Sequence, residues 1–391
     1  GLMFWDKSGK PIRTPTRPPP KNVDSLPFPD VEGLGFGEYL NHMYPNQYYF
    51  NTVFDNPRAY SLLGSRSCPF QCTFCYHDNN LYRPRSVSNI MEELNSRVKK
   101  YRINRIYVFD ECFAIDKNRL KEFCREIKKL REELPWELKW MSSLRVDLVN
   151  KEILEIMADA GCDVIGYGFE SYSQVVLKSM KKNIVPEQID KALRDTLNAG
   201  IGIQANFIFG DIAETKETAY ETLEYWKTKC NGQVHMDFIS PYPNSAIYQH
   251  CLKKGIIKNK LKFIKELSTD YKIINMTQNM DNKEFNQLNK DVATALSKYR
   301  KFTRLRAIKK VSKHRYNFEV KCPYCQKIIK YNNFYIKNRF SYSFNVLCKE
   351  CPMRFYTGNR LREFAYKHYS QANKLRNLKD KIIKYIEKIN Q

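Results

Sequence analysis

Between Ala59 and Ile239 the sequence switches six times between a short β-rich run and a helical pattern, and this alternation limits the fold more than any other feature. The β-rich runs are Ala59 to Ser65, Ile106 to Asp110, Glu137 to Ser142, Val164 to Phe169, Gly202 to Phe209 and Val234 to Ser240. Between them, apolar residues recur at helical spacing: Val87, Ile90, Met91, Leu94 and Val98 behind the N-cap candidate Ser86, then Leu120, Phe123, Cys124, Ile127 and Leu130 behind Asp116. Asn150 opens a third helix that Gly161 ends, and Gly200 ends a fourth. Strand-then-helix units of about 30 residues force parallel strands joined by right-handed crossovers. Six of them predict an α/β fold, a six-unit partial (β/α) barrel smaller than the eight-unit kind.

The flanks differ. Residues 1–55, with seven prolines between Pro11 and Pro29, read as an extended linker-like segment lying over the barrel of residues 56–260. Lys and Arg balance Asp and Glu at 32 each over residues 1–250, so the whole net charge of +24 sits in residues 251–391. That break predicts a basic helical connector over 261–315, a zinc-ribbon-like unit over 316–356 and a basic C-terminal helix over 357–391. Basic residues interleaved with aromatics suit a phosphate backbone and stacked bases, which makes 251–391 a candidate nucleic-acid contact; a solvated lysine-rich face has the same composition. No apolar run is long enough to span a bilayer and no secretory leader opens the sequence, so a cytoplasmic protein is expected.

In barrels of this kind chemistry gathers in the loops after the strands' C-terminal ends. The first such loop is Ser67-Cys68-Pro69-Phe70-Gln71-Cys72-Thr73-Phe74-Cys75. Three thiolates at this spacing suit three corners of a cubane iron–sulfur cluster, leaving the fourth iron open to a small molecule. A zinc knuckle completed by His77 is the plainer alternative. Later loops present Asp110, Glu111 and Cys112, then Arg145, then Glu170 and Ser171, then Gly210 to Thr215. Asp110 and Glu111 also suit a helix cap, Arg145 a surface ion pair, Glu170 a rim salt bridge and Cys112 a small buried side chain.

The cysteine loop, with aromatic Phe74 before its last cysteine, resembles that of the radical S-adenosylmethionine (radical SAM) enzymes. Tyr82 to Ser86, Phe109 to Glu111, Gly168 to Ser171, Lys178 to Lys182 and Tyr242 to Ser245 resemble the branch whose members usually carry a cobalamin domain in front. The resemblance implies that Cys68, Cys72 and Cys75 ligate a [4Fe-4S] cluster and that SAM chelates its fourth iron. Electron transfer then cleaves SAM to methionine and a 5′-deoxyadenosyl radical. It further implies cofactor contacts from Phe74, from Asp110 or Glu111 to the SAM amino group, from Arg145 to its carboxylate, and from Glu170 with Ser171 to its ribose or amine. Cys112 is the candidate hydrogen-atom donor, and a reductant such as flavodoxin or ferredoxin is the expected partner. Cobalamin is not supported by these residues, so methyl transfer is conditional on a domain upstream of Gly1. Where the branch shows G-L-P-G-E-T, this chain has Gly210 to Thr215 without the proline and second glycine, which predicts a less constrained loop.

A second cysteine set, Cys322-x2-Cys325 and Cys348-x2-Cys351, has the two-knuckle spacing of a structural zinc site, and the same thiolates suit iron. The expected function is radical SAM chemistry on a small molecule, lipid or peptide. The rivals are an RNA-modifying radical SAM enzyme and a non-catalytic, metal-stabilised nucleic-acid-binding protein.

Overall fold

The computed structural model describes residues 1–41, 58–76, 81–269, 273–336 and 342–367. Six parallel strands form one sheet: β1 (Ala59–Leu62), β2 (Arg105–Val108), β3 (Lys139–Leu144), β4 (Cys162–Glu170), β5 (Gly202–Phe209) and β6 (Val234–Phe238). Their spatial order is their sequence order, so every neighbour is the next βα unit and the sheet curls without a skipped strand. Each of the six expected runs overlaps one of these strands.

Helices α1 (Val87–Tyr101), α2 (Lys117–Glu132), α3 (Lys151–Asp159), α4 (Pro186–Asn198) and α5 (Lys216–Lys229) follow the first five strands. Their starts are chemically specified. The side chains of Ser86, Asp116, Asn150 and Thr215 accept from backbone N–H groups of the first turn, satisfying donors that a helix leaves unpaired. Their apolar faces join the strands' outer side chains in one core that includes Ile90, Phe123, Trp140, Ile165, Phe207 and Trp226. No helix among the described residues is long and apolar enough to cross a membrane.

The composition break is not a structural boundary. The sixth outer helix is α6 (Asn282–Tyr299), whose Phe285, Leu288, Val292 and Ala295 enter the barrel core, Phe285 edge-on to Phe238 of β6. The barrel thus extends past residue 260 to Tyr299. The expected helical connector ends there as well, because Phe302–Ser312 is strand β7. It joins β8 (Arg315–Lys321), β9 (Ile328–Tyr335), β10 (Ser343–Leu347) and β11 (Arg354–Gly358) in the order β9-β8-β7-β11-β10. The two aromatic-rich runs between the knuckles pair with strands outside them: β9 with β8 and β10 with β11. They meet through side chains instead, Phe318, Tyr331, Phe334 and Phe344 forming a second core. Helix α7 (Arg360–Lys367) follows, and the rest of the expected C-terminal helix, 368–391, lies outside the described residues.

This C-terminal sheet sits under the N-terminal ends of β5 and β6. Leu347 packs so closely on Gly202 that a β-carbon there would lie 2.8 Å from it. Gln233 forms a clamp: its side-chain oxygen accepts from Arg354 N–H (2.7 Å), its amide donates to Arg354 O (3.0 Å), and its own carbonyl accepts from the Arg354 guanidinium. Tyr324, inside the first knuckle, donates its hydroxyl to Asn231 O at 2.7 Å.

Of residues 1–55, part of the described segment touches the barrel. Met3–Trp5 pairs with Pro11–Arg13, Asp24 accepts from the Ser86 N–H, Phe28 lies under Arg85 and Val31 enters the core.

Candidate active site

After β1 the chain turns through Gly64 and Ser65, and their N–H and hydroxyl donate to the two Asp110 oxygens at 2.6 and 2.5 Å. Arg119 of α2 donates to Gly64 O at 2.6 Å. The loop's root is therefore pinned by a carboxylate from the end of β2 and a guanidinium from the next helix. Further on, Thr73 N–H donates to Met180 O and Thr73 O accepts from Ile247 N–H, both at 3.0 Å. Backbone bonds at both ends hold a loop whose thiols are thereby left for other use.

Cys68, Cys72 and Cys75 all line one cavity of about 640 Å³ at the C-terminal ends of the strands. Phe70, Phe74, Glu111, Cys112, Arg145, Glu170 and Lys182 share its rim, and Tyr107, Ser143, Gly166, Gly168, Gln204 and Asn206 rise from the strands' inner faces. Burial raises the Cys68 and Cys72 thiols and pushes Cys75 up to about 12. A cationic metal would offset that burial, and Arg145 and Lys182 already lower the Cys72 value. Three thiols on one chamber of this size, with two buried cations beside them, fit a cluster bound through three cysteines. His77 lies outside the described residues.

Glu170 reaches this chamber by a local irregularity. Gly168 pairs with Asn206 but Glu170 pairs with Phe207, so Phe169 is an extra residue in β4, and Glu170 takes a left-handed φ of 63°. Its carboxylate accepts from Lys182 Nζ at 2.8 Å, both side chains being almost wholly buried. Burial works against the Lys182 charge, yet Glu170 outweighs it and the ammonium stays above its ordinary pKa. Gly168 leaves room for the pair as it stands: a β-carbon would lie 2.0 Å from Glu170 Oε1 and 2.7 Å from Lys182 Nζ, so the two side chains would have to move.

Arg145 also faces the cavity, its guanidinium 3.8 Å over the Phe70 ring. It donates to both Asp147 oxygens (3.0 and 3.2 Å) and to Lys182 O (2.6 Å). The ion pairs weighed as plainer readings of Arg145 and Glu170 are thus real, and both are built into the cavity wall. Cys112 lines the chamber, and burial pushes its thiol up to about 12, so it keeps its S–H.

Two expected contacts fall elsewhere. Asp110 is spent on Gly64 and Ser65 and does not line the cavity, which leaves Glu111 as the carboxylate of that pair facing it. Ser171 is turned toward Thr222 (Oγ to Oγ1, 3.2 Å) and accepts from Ser173 N–H, fastening the chain after β4 to α5. The loop expected to be slack is also tight. Glu214, wholly buried, accepts from Gly210 N–H at 2.5 Å, and Asp211 accepts from Ala213 N–H. Its own carboxylates replace the missing ring constraint, and burial lifts Glu214 to about 8.

Lys182, Gln204 and Asn206 were not picked out as site residues. For the last two a signal exists: amides at alternate positions of an otherwise apolar buried strand mark the face that looks into a lumen. Lys182 lies twelve residues beyond its partner across a helix, a pairing that only the fold displays.

The second cysteine set is compact. All four sulfurs of Cys322, Cys325, Cys348 and Cys351 lie within 4.8 Å of one another, with Cys322–Cys351 at 3.8 Å and Cys325–Cys348 at 3.7 Å. A tetrahedral ion with metal–sulfur bonds of about 2.3 Å has edges of about 3.8 Å. These distances fit a single ion and leave no room for a cubane. Tyr324 and Glu350 N–H groups point at Cys322 and Cys348 sulfurs at 3.5 and 3.4 Å, as they do in metal knuckles.

The chain is similar to several known proteins. The family model of the radical SAM superfamily matches residues 62–225. An uncharacterized methyltransferase of Pyrococcus horikoshii is 27% identical over 258 residues, 65% of this chain and 52% of its own. The anaerobic magnesium-protoporphyrin IX monomethyl ester cyclase of Rubrivivax gelatinosus is 26% identical over 64% of this chain and 43% of its own. Among solved structures, the cobalamin-dependent S-adenosylmethionine radical enzyme OxsB superimposes with a TM-score of 0.47 at 24% identity, covering 68% of this chain and 36% of that one. The chain spans about half the length of the curated relatives it matches.

Proposed function

We propose, from the match of residues 62–225 to the radical SAM superfamily model, that this chain is an enzyme that cleaves SAM reductively and uses the resulting radical on a small molecule held in the barrel lumen. The observation that carries the reading is the single chamber onto which three loop cysteines, Glu111, Arg145 and the Glu170–Lys182 pair converge. Cys68, Cys72 and Cys75 would hold a [4Fe-4S] cluster, which when bound supplies the electron for SAM cleavage.

The chain's own residues do the rest. Glu111 offers an acceptor for the SAM amino group. Glu170, oriented by Lys182, offers a second acceptor, and Arg145, steadied by Asp147 and Phe70, faces the SAM carboxylate. Phe74 walls the loop side of the chamber. Cys112, held as a thiol, is placed to return a hydrogen atom to a substrate radical. A flavodoxin or ferredoxin in a reducing cytoplasm is the matching electron source. Similarity to methyltransferases makes methylation the first reaction to test, with cobalamin supplied from outside these residues.

The C-terminal unit is read as a zinc site that braces the barrel floor. It lies at the far end of the strands from the cysteine loop, about 30 Å away for a strand as long as β4. That separation favours a small molecule over RNA gripped by the basic third. The test is anaerobic reconstitution followed by reduction with SAM present. About four irons and formation of 5′-deoxyadenosine are expected, and both should vanish in the Cys68, Cys72 and Cys75 triple alanine variant. Parental 5′-deoxyadenosine formation by that variant would sink the proposal.

A further inference from the structure

Where the C-terminal sheet meets β5 and β6, a second, smaller cavity of about 50 Å³ opens beneath the first and shares Gln204 and Asn206 with it. Two guanidiniums enter it from the C-terminal side, Arg300 and Arg354. Neither has a carboxylate within 4 Å among the described residues. Arg300 lies 5.4 Å over the Tyr356 ring and donates to His235 Nδ1, so His235 carries its proton on Nε2, toward Asp237 at 3.9 Å. No carboxylate lines the cavity among the described residues, Asp237 included.

Two like charges in a half-buried chamber repel, and burial together with Arg300 lowers Arg354 to about 10. The chamber also holds two orphan polar atoms, Gln204 Oε1 and Asn345 Oδ1, buried without hydrogen-bond partners. Turning either amide about its last torsion presents an N–H donor instead, at no steric cost. Two cations without a counter-charge and two amides able to donate are what a bound oxyanion would complete.

We infer that this chamber is an oxyanion site seating a carboxylate or phosphate group of the substrate whose other end faces the cysteine loop. In register, Gln204 lies three residues below Phe207, the partner of Glu170, which is roughly 10 Å of strand rise. An acidic small molecule of that length spans the distance. The oxyanion site stands on its own residues; its assignment to substrate rests on the radical SAM reading above.

The test uses the full chain with its metals, titrated with inorganic phosphate against sodium chloride at matched ionic strength. Phosphate should raise the thermal midpoint by a few degrees, as binding to the native state must. Arg300→Gln should weaken the apparent phosphate affinity at least tenfold. Asn345→Asp, which supplies a built-in carboxylate at constant size, should raise the midpoint without phosphate and abolish the response. No response in the native chain, or equal responses in both variants, overturns the site. Phosphomonoesters and dicarboxylates about 10 Å long are then tested as competitors. Displacement of phosphate with a change in SAM cleavage marks a substrate group, and displacement by none of them overturns the substrate assignment. Loss of SAM cleavage activity as a property of the chain, with phosphate binding intact, would defeat the radical SAM reading alone.

Discussion

The two cysteine sets use the same side chain for opposite ends. In the C-terminal set four sulfurs close on a volume fit for one ion, and backbone N–H groups point at two of them, so no coordination position is left over. In the barrel loop three sulfurs spread around a chamber and do not converge on each other; their loop is tied down by backbone bonds and by Asp110 and Arg119. A metal in the first would stabilise its surroundings. The loop of the second is held by the fold itself, which would leave a cluster bound there free to react.

The largest test of this contrast exchanges the phenotypes. Cys72→Ala should abolish SAM cleavage, a loss of a thousandfold or more given that the radical step has no other source, while the thermal midpoint stays within a few degrees. Cys322→Ser should do the reverse: loss of the bound metal, unfolding of the region 302–367 seen by hydrogen exchange, and destabilisation of several kcal/mol. Equal loss of stability in both would erase the distinction.

Gly168→Ala probes the rim. The added methyl cannot coexist with the Glu170–Lys182 pair as it stands, so SAM affinity should fall by about tenfold to a hundredfold, read by equilibrium binding with the cluster intact. Next, Asp110 and Glu111 should separate. Asp110→Asn should cost on the order of 1–3 kcal/mol by weakening the loop root, whereas Glu111→Gln should leave the midpoint unchanged and weaken SAM binding.

A further test is a pH dependence. Glu214 has a folded pKa of about 8, above its unfolded value, so the folded state keeps a proton that the unfolded state releases. Its contribution is fully present below about pH 4.5 and is lost as pH rises toward 8. Glu214→Gln keeps the acceptor for Gly210 N–H and should flatten that part of the stability profile. An unaltered slope would show that Glu214 is charged in the fold.

The barrel could be read before the structure because its signals are local. Caps such as Asp116 and Asn150, stops such as Gly161, and runs of β-branched residues each act within a few positions. The cysteine sets were legible for the same reason, as spacing within a loop or knuckle. The extent of the barrel was not. Charge marks what faces water, and α6 falls inside the basic third of the sequence while its Phe285 and Leu288 belong inside the barrel. Nor could Asp110 and Glu111 be told apart. They are adjacent, and only the turn of the chain after β2 decides which faces Gly64 and which the chamber.

The Gln233 clamp also has a bearing on when the protein becomes complete. Its partner Arg354 is 121 residues further along, so during synthesis the amide and carbonyl of Gln233 remain without it while the rest of the barrel emerges. At about 5–20 residues per second that interval is roughly 6 to 24 s. The bottom of the nascent barrel stays open for that time. Sealing then waits on the second knuckle, which arrives just before Arg354.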